Sequence, residues 1–146
     1  MDFSNVAIPG LSQTTVNGLS ELDAKLKELA PALARRAFRE AGRAAADIWV
    51  QAMKELAPVL SQSTKEREAG LLRDSIGASV TISKVNEAMI VHVGPGKQAF
   101  YAGFDEFGTR RMGAHPFMRP AFQNHQDDVL NVFVDELWQA LGELAE

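Results

Sequence analysis

The chain contains no cysteine. That removes disulfides, thiolate zinc sites and cysteine nucleophiles together, and it fits a reducing compartment. It contains no apolar run near the roughly 18 residues needed to span a bilayer. Met1-Asp2-Phe3 opens no charged-then-apolar leader, so the expectation is a soluble chain made in a cytosol. Cations are missing from one end: residues 121–146 carry six acids and no Lys or Arg, more than the whole net charge of −4. This asymmetry argues against a broadly basic nucleic-acid-binding domain. What remains is 146 residues, 46% of them hydrophobic. That is enough for one domain that buries roughly two thirds of its unfolded surface without staples.

The pattern along the chain is that of an α+β fold: a long N-terminal helix kinked or broken near Pro31, an antiparallel β-hairpin-based sheet and a C-terminal amphipathic helix. Residues 1–19 read as a flexible arm and residues 20–146 as a single domain. Ser20 with Asp23 approximates a capping box, and Leu22, Leu26 and Leu29 follow at helical spacing. Pro31 either breaks this helix or opens a second one. From there to about Ala57, Ala34, Phe38, Ala41, Ala45, Ile48, Trp49, Ala52 and Leu56 share one helical face. Pro58 ends it, and 59–69 read as a polar loop. Leu71–Ser75 form a short helical turn before alternating strands at 76–83 and from Met89 to Val93. From Pro120 the chain turns helical again, with Phe122, Val129, Leu130, Phe133, Leu137, Leu141 and Leu144 inward and Trp138 off the stripe.

Catalysis needs a nucleophile or an acid/base pair held beside a positioned partner. Ser75, His92, His115, Asp105 and Glu106 are the candidates, and none sits in a motif with a mechanism. The expectation is no enzyme, no catalytic residues and no cofactor. His92, His115 and His125 have no ligand spacing for a metal. Gly94-Pro95-Gly96-Lys97 lacks the Lys-Ser/Thr pair and the following helix of a phosphate loop.

Two patterns are left. Arg35, Arg39 and Arg43 recur on one arc of the long helix. They read as a solvated face, as a nucleic-acid contact, or as the complement of an acidic partner such as this chain's own last helix. Residues 99–122 hold six of the eleven aromatics, interleaved with Gly103, Gly108, Gly113, Pro116 and Pro120. They read equally as a loop plugging the core and as a surface of aromatics and Arg, the side chains enriched at interfaces. The candidate interface residues are Tyr101, Phe104, Glu106, Phe107, Gly108, Thr109, Arg110, Arg111, His115, Pro116, Phe117 and Arg119, with Arg35, Arg39, Arg43 and Trp138.

The order of parts resembles the small neck and tail-completion proteins of long-tailed bacteriophages, the tail-component or minor-tail-protein-Z-like family. The residues that carry the likeness are Gly18-Leu19-Ser20-Glu21-Leu22, the Ala/Arg-rich helix closing on Leu56-Ala57-Pro58-Val59, and Gly70-Leu71-Leu72-Arg73-Asp74-Ser75-Ile76. The most specific are Tyr101-Ala102, Glu106-Phe107-Gly108-Thr109 and Ala114-His115-Pro116-Phe117-Met118-Arg119-Pro120-Ala121-Phe122. The polar stretch 59–69 departs from the family, where it is often short. The resemblance implies a structural, non-catalytic virion or prophage protein at the head–tail connection or tail end. It would join or complete the tail as a hexameric ring subunit that can be monomeric when isolated. It would contact other neck, tail or head-closure proteins, meet DNA only as passing cargo, avoid membranes and assemble in the host cytoplasm. The competing reading is a cytosolic α+β module that binds a small ligand or nucleic acid through the aromatic loop and Arg35–Arg43.

Overall fold

A computed structural model describes residues 19–59, 63–64, 67–83, 85, 88–144. It omits the side chains of Leu19, Ser20 and Leu144. The expected arm lies outside the described residues up to residue 18; Leu19, its expected last residue, opens α1, and Ser20, the expected cap, is within that helix. The fold is α+β: helices α1 (Leu19–Glu28), α2 (Pro31–Leu56), α3 (Leu71–Ser75), α4 (Ala102–Phe107), α5 (Met118–Asn124) and α6 (Gln126–Leu144), with strands β1 (Gly77–Ile82) and β2 (Met89–Gly94). The strands pair as a two-stranded antiparallel hairpin. The expected alternation holds from Ser79 on, with Val80, Ile82, Met89, Val91 and Val93 partly covered and Ser79, Thr81 and His92 exposed, but Ala78, expected inward, is exposed and Ser83, expected outward, is partly covered.

Pro31 is the first residue of α2, where its missing amide proton costs no hydrogen bond. Ala30 precedes it outside the helix and accepts from the N–H groups of Leu33 and Ala34. The two helices are therefore separate, and the break falls where the proline forbids continuation.

The described residues group into two compact units, one drawn from the chain up to residue 45, from 80–90 and from 126 onward, the other from 46–79 and 91–125. The first unit is built on Leu22, Ala37, Ala41, Leu137 and Leu141. Ala37 and Ala41 of α2 share this cluster with Leu137 and Leu141 of α6, and the two leucines are almost fully buried, each worth about 1.5–3 kcal/mol. Phe38 and Phe133 add a tilted ring pair 6.1 Å apart. Gly42 lies against the hairpin instead: a Cβ there would stand 3.0 Å from Met89 Sδ and 3.3 Å from Val80 Cγ1. Trp138 is half-buried against this cluster, with Lys25 Nζ 5.0 Å from its ring centroid.

The second unit is built on Val50, Met53, Leu72, Ile76, Tyr101, Phe117 and the alanines between them. The expected single stripe on α2 is only partly right. Ala41, Ala45 and Ala52 are buried, but Leu56 is exposed, while Ala37, Val50 and Met53 are interior. The two halves of α2 feed different clusters, so one stripe drawn through the whole helix does not describe both.

The last helix also differs from expectation. It is interrupted at His125 (φ −120°, ψ 15°), which separates α5 from α6. Phe122 therefore leaves the inner stripe and stacks on Trp49 in the second unit, ring centroids 4.9 Å apart. The described part of 59–69 is locally tied: Arg67 N–H donates to Thr64 Oγ1 and Ala69 N–H to Ser63 Oγ. Ser75 is spent on the fold, since its hydroxyl donates to Leu72 C=O and accepts from Gly96 N–H.

Candidate functional site

The site lies wholly in the second unit and begins with a short helix that must stop sharply. Tyr101 is buried and accepts from the N–H groups of Phe104 and Asp105, which starts α4. Gly108 ends it at φ +73°, ψ 177°, a conformation open essentially to glycine alone. An added Cβ would meet Ala114 N at 2.8 Å and Met112 O at 2.9 Å, so the returning chain passes directly over the glycine. Thr109 and Met112 exchange backbone hydrogen bonds at the turn, and His115 N–H then donates to Asp105 C=O at 2.7 Å. Beyond it, Phe117 inserts fully into the core.

Glu106 locks this excursion shut. Its residue is 1% exposed, and its carboxylate accepts four hydrogen bonds. Oε2 takes the N–H groups of Phe117 at 2.8 Å and Met118 at 2.9 Å. Oε1 takes Arg119 N–H at 3.1 Å and Arg119 Nε at 3.0 Å. Arg119 Nη2 also donates to the Glu106 carbonyl, and its guanidinium stands 5.2 Å from the Phe107 ring. The first N–H groups of a helix have no partner within it, and α5 has no capping side chain at Phe117. Glu106 supplies that cap from the preceding helix, with its negative charge at the positive end of α5. Burial pushes the carboxyl upward, but the backbone N–H bonds from Met118, Phe117 and Arg119 and the Arg119 side chain outweigh it. The net position is below the usual carboxylate range.

What the clamp presents is a face. Phe100, Phe104 and Phe107 follow at i, i+4, i+7 and are exposed at 68%, 49% and 69%. Thr109, Arg110, Arg111, Met112, His115, Pro116 and Arg119 are exposed beside them in sequence, and Gly108 is half-buried. Of the candidate interface residues, Tyr101, Glu106 and Phe117 are interior, and their described contacts build the loop. Phe100 was not among those candidates; its spacing to Phe104 and Phe107 is the signal that could have found it. Arg35, Arg39 and Arg43 are exposed on α2 in the other unit, as is part of Trp138 on α6. Tyr101, Glu106 and Phe117 therefore answer to the core-plugging reading, and the other members of the segment are at least partly open to solvent.

Asp105 and Glu106 do not pair, because Glu106 is enclosed by donors. Among the described residues no three His, Asp or Glu converge as metal ligands. A cavity of about 70 Å³ beside Arg67, Gly70, Tyr101 and Asp105 is well below the few hundred Å³ of a ligand pocket. Arg67 sits over the Tyr101 ring there, at 4.6 Å.

The fold and the clamped loop are those of a small α+β chain, and comparison with known families supplies its class, the structural parts of a bacteriophage tail. Residues 20–108 match the family of bacteriophage HK97-gp10, described as "putative tail-component", and the chain belongs to it. The match ends on the Gly108 exit, so it includes Glu106 and not the α5 amides that Glu106 caps. No curated protein and no solved structure matches the chain. Membership makes it a component of the phage particle, and among the described residues no helix is long and apolar enough to cross a membrane.

Proposed function

We propose that this chain is a non-catalytic ring subunit at the head–tail connection or tail end, where it completes the tail or joins it to the head. The carrying observation is the exposed Phe100, Phe104 and Phe107 stripe, with Arg110 and Arg111 following it in sequence, on a loop fixed from within by Glu106. Exposed aromatics and arginines on a rigid support are the composition of interface anchors. A ring joins two different patches on neighbouring copies, and one chain with a basic helix face and a cation-free last helix supplies unlike patches. Residues 20–146 act in it as one domain, assembled in the host cytoplasm, with neck, tail or head-closure proteins as further partners. Sixfold symmetry suits a tail, with DNA only passing through.

The test is deletion of the gene from a phage or inducible prophage that carries it. The expected result is filled heads and tails that fail to join, or tails of aberrant length or end structure, restored by the chain supplied in trans. Normal infectious particles without the chain would refute the reading.

A further inference from the structure

The hairpin leaves both of its outer edges open among the described residues. Ser83 N–H donates to Ala88 C=O, and Gly96 N–H donates to Ser75 C=O. Both bonds belong to one antiparallel register, in which Ser79 lies opposite His92 and Thr81 opposite Ile90. Those pairs spend their backbone groups between the strands, and the residues that alternate with them turn theirs outward. The outward residues are Ala78, Val80 and Ile82 on β1 and Met89, Val91 and Val93 on β2. Among the described residues none of the six has a hydrogen bond on its outward side, and the sheet has no third strand. Natural sheets guard such edges with charged side chains, proline or a bulge. Here the register runs unbroken from end to end, and neither 75–83 nor 88–94 contains a Lys, Arg, Asp, Glu or Pro.

We infer that the β2 edge of one copy pairs with the β1 edge of the next, joining the hairpins into one continuous sheet around the ring. This rests on the ring reading above and names the backbone contact that closes it. The occupant is a second copy because each edge is the complement of the other. Both offer three outward residues, and the antiparallel alternation inside the hairpin continues when β2 meets a neighbour's β1. The two edges are also different surfaces, as head-to-tail closure requires; β1 on β1, or β2 on β2, would stop at a dimer. Main-chain hydrogen bonds supply the affinity of such a join, and the side chains beside them set its register. One face of the hairpin is already used within the chain, since Val80 and Met89 stand against α2 at Gly42. The join leaves that packing in place and keeps Ser79, Thr81, Ile90 and His92 on the open face.

The experiment is disulfide trapping, which the absence of native cysteine keeps free of background. Ser79→Cys, Thr81→Cys, Ile90→Cys and His92→Cys are made singly, all at exposed positions, and a thermal melt of each checks folding. Each β1 variant is supplied in trans with each β2 variant to the gene deletion, and also alone; particles are oxidised and run on a non-reducing gel. A single cysteine has no partner in its own copy, so every linked dimer joins two copies. Side chains directly opposite across paired strands stand about 4.5–5.5 Å apart at Cβ, close to the disulfide range of about 3.5–4.5 Å. The expected result is a linked dimer from a β1-with-β2 mixture and none from either variant alone. Ala78→Cys, one residue away and turned to the other face, should link to neither Ile90→Cys nor His92→Cys. Particles that carry the variants and yield no β1-with-β2 link would overturn this inference and leave the ring reading intact. Links from single variants alone, or from Ala78→Cys as readily as from Ser79→Cys, would also overturn the strand pairing. A lone copy of the chain in each particle would overturn both readings.

Discussion

Replacing Glu106 with Gln is the sharpest perturbation of the structure, because it changes one atom and no volume. In the wild type each carboxylate oxygen accepts two donors. Whichever oxygen becomes the NH2 group then points a donor at two donors, at a site that is 1% exposed. Two hydrogen bonds are lost in a buried setting, at about 1–3 kcal/mol for each group left unsatisfied. The negative charge at the start of α5 goes too, for up to about 1 kcal/mol more. Part of this is recovered as the loop relaxes toward water, so the expected loss is about 2–4 kcal/mol, a large fraction of a domain's stability. Glu106→Ala should cost at least as much. Arg119→Ala should cost under about 1 kcal/mol, because that side chain is 56% exposed and its pairing is screened. Urea unfolding at neutral pH reads all three, and the two tryptophans, Trp49 and Trp138, fall in different units, so single-Trp variants report each one. If Glu106→Gln lies within about 0.5 kcal/mol of wild type while Arg119→Ala costs more, the pair is a surface ion pair and the capping argument is wrong.

The same carboxylate sets a pH dependence. Its folded value lies below its unfolded one, so its contribution is complete above about pH 4.3 and fades as pH falls through the folded value; Glu106→Gln should flatten that acid limb in urea titrations. Gly108→Ala should destabilise by about 1–3 kcal/mol or more, from its positive φ and the 2.8 Å clash, whereas Gly103→Ala, open on all sides in α4, should be neutral or slightly stabilising in the same thermal melts. Gly42→Leu should cost about 1–3 kcal/mol by crowding Met89 and Val80, read as a lowered urea midpoint. Phe104→Ser with Phe107→Ser should leave the melt within about 1 kcal/mol of wild type yet abolish complementation of a gene deletion, and a wild-type plaque count would count against the aromatic face as an interface.

The elements that could be read in the sequence are those whose signal is local. The hairpin follows from alternation, α3 from Leu71–Ser75, and the start of α2 from the proline that can only sit at a helix beginning or break one. Gly108, which the sequence shows only as one of several glycines among the aromatics, ends α4 at a positive φ that few other residues take cheaply. What failed is long-range. Nothing in Phe122-Gln123-Asn124-His125-Gln126 is a helix breaker, so the stop at His125 was hidden; the two helices belong to different units, and that is a property of packing. Asp105-Glu106 looked like a chance acid pair. Only the return of residues 114–119 makes one of the two a buried cap and leaves the other offering its carbonyl to His115.

The division of labour inside the aromatic segment bears on how such a part could work in a particle. Glu106, Tyr101 and Phe117 do their work under the surface, and the rings of Phe100, Phe104 and Phe107 stand exposed. A face whose shape is fixed from beneath loses less entropy on docking than a loop ordered by its partner, since the side chains already stand on a settled backbone. It also separates two kinds of damage. On the proposed reading, a change beneath the face alters its shape and the chain's stability together, while a change on it alters docking alone. Arg119 belongs to both: Nε holds the carboxylate while the guanidinium lies over exposed Phe107. A cheap Arg119→Ala in isolation that nevertheless weakens assembly is therefore what this geometry demands of that one residue.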